Sequence, residues 1–266
     1  MVVWTWIQHH RVLSISLLAV LVIGAAGGTA WAVLFRTVAS PVTLKEALRM
    51  YRRDQVSAAR NWGLVQPLTA GVFRYRTSGG ESLSLPGASR SFPAASDMVV
   101  SAGTGGCSVV AWVPITQHTE MTTVCPSVNH SLVVTNLTTH EVISGTTATT
   151  VLTCPATAYL LPPAATTGAR WSATCHQASP SEDVVVQGVD LGDEPLRVGG
   201  QSVPTVHVRV TLHYAGPEAG VAPTDLWIST TKGLVVREAE QATVTQQGVH
   251  YHEQMDARLD SLTPSG

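Results

Sequence analysis

The sequence predicts a mainly β protein standing behind a single N-terminal transmembrane helix and a linker helix. Three observations lead there. Residues 12–35 form a run of 24 residues without a charge. Beyond residue 67 Thr, Val, Ser and Gly dominate, a mixture that suits strands and turns and suits helices poorly. Four cysteines, all in the C-terminal part, make the even, widely spaced set expected of disulfides.

The apolar run comes first. At 1.5 Å per residue it would be ~36 Å of helix, enough to cross a hydrocarbon core of ~30 Å with some tilt. Trp4 and Trp6 flank it on one side and Trp31 and Phe35 on the other, where amphipathic rings favour the headgroup region. Gly24 and Gly28 are spaced to let two such helices approach closely, which makes them helix-packing candidates. A cleaved signal peptide is the competing reading, because Ala30-Trp31-Ala32 fits a small-residue cleavage site. The expected layout is a cytoplasmic tail over 1–11, the span over 12–35, a juxtamembrane helix over 41–63 and an extracytoplasmic β domain over 67–263.

Orientation carries a conflict. Arg36, Lys45, Arg49, Arg52 and Arg53 follow the run and only Arg11 precedes it, so the positive-inside rule would keep the large domain in the cytoplasm. The cysteines argue for an oxidising compartment and hence a single-pass plasma-membrane protein with its C-terminal domain outside. Cys107, Cys125, Cys154 and Cys175 pair most simply as neighbours, Cys107 with Cys125 and Cys154 with Cys175, although two other connectivities remain open. Each neighbouring pair closes a loop of about 20 residues, worth ~3 kcal/mol in the chain-entropy model. Zinc is disfavoured because no close cysteine pair exists.

The juxtamembrane helix shows a capping-box pattern, Thr43 with Glu46, with Leu44, Ala47, Leu48 and Tyr51 at helical spacing and Gly63 as a stop. Residues 71–77 then alternate apolar and polar, the mark of a half-buried strand, and Gly79-Gly80 reads as a turn. Further strands are expected over 97–101, 107–115, 120–125, 132–143, 149–154, 170–175, 183–191, 204–214, 225–230, 233–245 and 249–259. Gly, Pro, Asn and Asp fill the intervals, among them 195–200 and 216–220. Such a series makes an antiparallel sheet, curved or two-layered. No strand–helix alternation supports a doubly wound nucleotide fold.

Gly71 to Ser82 (GVFRYRTSGGES), Cys107, Trp112, Glu120, Cys125-Pro126, Val206-His207-Val208-Arg209, Asp225-Leu226-Trp227 and Gly233 to Glu238 resemble a family of uncharacterised, membrane-anchored envelope proteins of actinobacteria. The resemblance covers most of the chain beyond residue 40 and brings no activity with it. From Gln201 onward the chain is also similar to lipoprotein-carrier half-barrels of the LolA kind, with Trp227 on one hairpin strand and Gly233-Leu234 opening the next. That second likeness implies a half-barrel-like domain with a concave apolar face for lipid.

Composition narrows function. Net charge is −2, so no electrostatic case for nucleic acid exists. No Gly-x-Ser-x-Gly elbow is present, and oxidised cysteines leave no thiol to attack. No catalytic, cofactor or metal site is assigned. His250 and His252, with Glu253 beside them, form the best metal-like cluster, although a solvent-facing stripe explains them as well. Glu81 is a weak binding candidate whose plain explanation is a surface ion pair with Arg74 or Arg76. The expected role is non-catalytic binding or scaffolding in the cell envelope, with an apolar ligand, the bilayer and other membrane proteins as partners. The alternatives are a membrane-protein partner or assembly factor acting through its transmembrane helix, and an envelope hydrolase with an unrecognised site, whose signature would be buried titratable groups in a cleft.

Overall fold

Period-two alternation from Gly71 to Leu259 becomes strand after strand, and the strands close on themselves. The structure is a computed structural model that describes residues 40–54 and 68–265, apart from 85–88, 128–130, 144–145, 164–166, 179–180, 217 and 247. Among the described residues one α-helix, α1 (Leu44–Asp54), precedes β1 (Gly71–Leu83), β2 (Ser89–Ser91), β3 (Ala95–Ala102), β4 (Ser108–Ile115) and β5 (His118–Pro126). Then come β6 (Leu132–Ile143), β7 (Thr146–Thr153), β8 (Tyr159–Leu161), β9 (Arg170–Ala178), β10 (Ser181–Asp193), β11 (Leu196–Val198) and β12 (Gln201–Val203). The series ends with β13 (Thr205–Ala215), β14 (Glu218–Ser229), β15 (Val235–Gln246) and β16 (Val249–Leu259).

Twelve of these strands form a closed antiparallel barrel. The order is β1, β3, β4, β5, β6, β7, β9, β10, β13, β14, β15, β16, and β16 returns to β1 through nine paired residues from Tyr75↔Leu259 to Leu83↔Tyr251. The expected half-barrel or two-layer sheet is thereby corrected. Closure removes both free edges of the sheet, whose unpaired backbone groups an open half-barrel would have to shield. Gly79-Gly80 is not a turn either: β1 runs straight through it. A side chain on Gly79 (φ +114°) would lie 1.9 Å from the Gln254 carbonyl, and one on Gly80 would lie 2.3 Å from that of Arg90. Glycine is there because β16, β1 and β2 crowd together.

The membrane placement is corrected as well. Among the described residues no helix is long and apolar enough to cross a membrane. The run 12–35, with Gly24 and Gly28, lies outside the described residues. The transmembrane, single-pass and plasma-membrane readings therefore have no structural support and are set aside. The barrel wall itself turns apolar residues inward and polar ones outward. On β9, Arg170, Ser172, Thr174 and His176 are exposed while Ala173 and Cys175 are buried. That is the reverse of a barrel whose outer face meets lipid.

α1 lies against the outside of the wall, its Ala47 packed with Val72, Val99 and Ala111 of β1, β3 and β4. Its capping box forms: the Thr43 backbone N–H donates to Glu46 Oε2 at 2.9 Å and the Glu46 N–H donates to Thr43 Oγ1 at 3.3 Å. Of the expected helix 41–63, residues 55–63 lie outside the described set.

One end of the lumen is filled. Phe73, Tyr75 and Leu259, all essentially inaccessible, cluster there with Val198 and Val203 of the β11–β12 hairpin, which caps that end. This hairpin occupies the segment read as a plain turn at 195–200; three-residue strands are too short to show a period.

The narrowest seam is between β7 and β9, which share only two residue pairs, Leu152↔Gln177 and Thr153↔His176. The Cys154–Cys175 disulfide forms at this seam, while Cys107–Cys125 joins β4 and β5, already paired over six positions. Loop entropy alone assigns the two bridges similar values, ~3 kcal/mol each. The seam adds a difference. Cys154→Ala with Cys175→Ala is expected to lower unfolding stability by at least ~3 kcal/mol, and Cys107→Ala with Cys125→Ala by less, in urea titrations of the non-reduced proteins. Equal losses would show that the seam is held by other contacts.

Candidate functional site

Above the plug the barrel is hollow, with a cavity of about 720 Å³. Two walls of it are apolar. Met98, Val100, Trp112 and Val124 come from β3, β4 and β5, and Leu152, Val186, Leu212 and Leu226 face them from β7, β10, β13 and β14. Elsewhere on the wall the lining changes character. Glu120, Glu141, Glu218, Glu238, Glu240 and Glu253 line the cavity, with Tyr214 and Tyr251 among them. Among the described residues no lysine or arginine lines it.

Strand periodicity puts these acids inside. Glu238 and Glu240 share their phase on β15 with Val236, Ala242 and Val244, and Glu253 shares its phase on β16 with Met255, Ala257 and Leu259. Glu238 and Glu240 are only half-buried by accessible area although protein surrounds their carboxyls. Both facts fit a surface that faces the cavity.

A charged network occupies the adjoining wall. Glu81, buried on β1, pairs with Arg90 of β2, which also donates from Nη1 to the Val142 carbonyl at 2.9 Å. His118, at the start of β5, lies with Nδ1 3.0 Å from Glu81 Oε2 and Nε2 3.1 Å from Glu120 Oε1. The Tyr251 hydroxyl is 2.7 Å from Glu81 Oε2 and 2.6 Å from Glu253 Oε2. One phenolic proton cannot serve two carboxylates. A protonated Glu253 donating to Tyr251, which donates to Glu81, satisfies both contacts.

The electrostatics agree with that proton arrangement. Burial penalises the Glu81 charge, but hydrogen bonds and charge from His118 and Arg90 outweigh it and hold the carboxyl at about 2. Burial likewise opposes a charged His118, yet its bonds to Glu120 and Glu81, with Glu253 nearby, keep it well above the ordinary histidine value. The acids without a cation move the other way. Burial, reinforced by neighbouring carboxylates, pushes Glu141 up to about 7 and Glu238 and Glu253 up to about 8, and raises Glu240 well above its usual range. Two buried polar atoms here have no hydrogen-bond partner, Glu253 Oε1 and Arg90 Nη2.

Ligand atoms of Glu81, His118 and Glu253 all lie within 4.8 Å of one another, close enough to converge on a cation. A doubly bonded, protonated imidazole has no lone pair to offer, so the trio as it stands is an ion-pair network.

Of the residues singled out from sequence, Glu81 is in the site, but not as a surface pair. Arg74 bonds Asp97 and Arg76 bonds Asp260, both on the outer face. His250 and His252 are exposed on the outside of β16, each bonded to a threonine of β15, Thr245 and Thr243. Glu253, one residue further on, points the opposite way, so the apparent cluster is split by the strand. Sequence reasoning missed Arg90, His118, Glu141, Glu238, Glu240 and Tyr251. The available signal was an acid in the apolar phase of a strand, as at Glu238, Glu240 and Glu253.

Fold and site together define a closed antiparallel β-barrel with a hollow interior, apolar over much of its wall and lined also by six glutamates. No family model and no curated protein matches the chain, so the actinobacterial envelope family finds no support. Among solved structures, the hypothetical lipoprotein YmcC from Escherichia coli (K12) aligns over 85% of this chain and 100% of its own, with 10% identity and a TM-score of 0.35. A likeness of that size says nothing about activity.

Proposed function

We propose that this protein is a binding protein that holds a small, largely apolar molecule inside its barrel. The observation that carries the reading is the cavity of about 720 Å³ walled by buried apolar side chains from most of the barrel strands. That volume lies within the ~300–1,000 Å³ of small-molecule sites. The two disulfides support work in an oxidising compartment.

A neutral, environment-sensitive dye, N-phenyl-1-naphthylamine, tests it. The full chain is expected to bind the dye with a gain in fluorescence. Ala222→Trp and the milder Ala242→Leu, both at buried cavity-lining positions, are expected to weaken it at least about tenfold by filling the space. Undiminished binding by folded variants would place the dye elsewhere and end the lumen reading.

One observation favours a second reading, acid–base hydrolysis. Glu81 and Glu253, bridged by Tyr251, are held at about 2 and about 8, the separation that distinguishes a base from an acid. Against it, Glu81 is engaged by Arg90, His118 and Tyr251, leaving it poorly placed to reach a substrate. Recovery of bound ligand chemically unchanged after prolonged incubation distinguishes binding from turnover.

A further inference from the structure

Resting on the binding reading above, we propose that the ligand carries a cationic nitrogen on an otherwise apolar body, an alkyl- or arylalkylammonium, with the charge seated among Glu238, Glu240 and Glu253. Much of the cavity wall is apolar, and six glutamates line it with no lysine or arginine among the described residues. The two cations nearby, Arg90 and His118, are already committed to Glu81 and Glu120. That pairing leaves Glu141, Glu238, Glu240 and Glu253 with no ion pair among the described residues, and Glu253 Oε1 is both buried and unbonded. Buried carboxylates in this number are costly unless protonated or neutralised by a cation. An ammonium would supply donors and charge together. Arg90 Nη2, a buried donor without a hydrogen-bond partner, would suit an anion, but a carboxylate ligand would meet six glutamates to reach it.

The titratable and charged groups that face the site are Glu81 on β1, Arg90 on β2, His118 and Glu120 on β5, and Glu141 on β6. Tyr159 on β8, Tyr214 on β13, Glu218 on β14, Glu238 and Glu240 on β15, and Tyr251 and Glu253 on β16 complete the set among the described residues. As pH rises from 6 to 9 the lining acids gain charge while an alkylamine stays protonated, so its advantage over a neutral ligand grows.

The test is displacement of N-phenyl-1-naphthylamine from the full chain by decylamine, decanol and decanoate at pH 8. Decylamine is expected to bind at least about tenfold more tightly than decanol, the scale of a hydrogen bond to a charged group, and decanoate more weakly than either. Glu238→Gln with Glu240→Gln is expected to erase most of that margin while decanol affinity is kept, which also reports that the variant is folded. Decanol equal to decylamine, or decanoate the tightest, would overturn the cationic class and leave the apolar cavity intact. Stoichiometric Zn²⁺ binding that blocks decylamine would assign the carboxylates to a metal and overturn it too. Failure of the dye itself to bind would instead overturn the binding reading on which this one rests.

Discussion

Glu81→Ala is expected to cost about 3–5 kcal/mol of unfolding free energy, the range for removing one partner of a buried charge pair. Glu81 is where the interior charges are joined: Arg90, His118 and Tyr251 all bond to it. The side chains of Arg90 and His118 are 5% and 1% exposed, so neither can recover a water shell when the carboxylate goes. Glu81→Gln keeps the shape and loses the charge, and should fall between the alanine variant and the parent. The control is Arg76→Ala on the outer wall. Its partner is Asp260, but with side chains 69% and 39% exposed that pair is expected to contribute no more than ~1 kcal/mol. Urea unfolding of the three variants measures this, and His118 titration by NMR should move down in Glu81→Ala as it loses a carboxylate. Similar costs for Glu81→Ala and Arg76→Ala would mean that the network is solvated.

The second large effect is a loss of stability with rising pH in the ligand-free protein. Glu141, Glu238 and Glu253, held at about 7, about 8 and about 8 by burial among like charges, keep protons that an unfolded chain releases near pH ~4.3. Between those values the folded state binds more protons, so stability falls as pH rises. His118 acts in the same sense: its contribution is complete below ~6.5 and fades as pH climbs through its raised folded value. Glu81 and Asp256, each held at about 2 by their basic partners, act in the opposite sense, contributing above ~4 and fading as pH falls toward 2. The maximum should therefore lie near pH ~4–5. Tm is expected to drop by at least ~5 °C from pH 5 to pH 9, taking ~2–4 °C per kcal/mol for a chain of this size. Glu238→Gln with Glu240→Gln should flatten the slope. A profile level across that range would show that these carboxyls are hydrated.

Much of the wall was legible. Residues 132–143 and 249–259 were read with the bounds the strands have, and most other long strands differ by a few residues. Period two is enforced by one buried face, and it persists over enough residues to be counted. The Cys107–Cys125 and Cys154–Cys175 pairs were the simplest reading and are the ones that form. Less legible were β2, β8, β11 and β12, at three residues each too short for a pattern. Gly79-Gly80 misled because glycine that relieves crowding between strands looks, in one dimension, like glycine that makes a turn.

The site was barely legible. His250, His252 and Glu253 looked like one cluster because they are adjacent, yet successive residues of a strand face opposite sides. Glu81 looked like a partner for Arg74 and Arg76, but on β1 those arginines face outward and Glu81 faces inward, where it meets Arg90 and His118.

What the amino-acid order by itself determined is local: which segments are strands, which of their faces is apolar, where the helix α1 begins, and that four sulfurs would be consumed in pairs. Closure of β16 onto β1, the hairpin that plugs one end, and the meeting of glutamates from β5, β6, β14, β15 and β16 around one cavity were decided only in three dimensions. The reason is physical. Strand formation follows from alternation over a few neighbouring residues, whereas the burial and mutual repulsion that give these carboxyls their character exist only once strands over a hundred residues apart share one enclosed space.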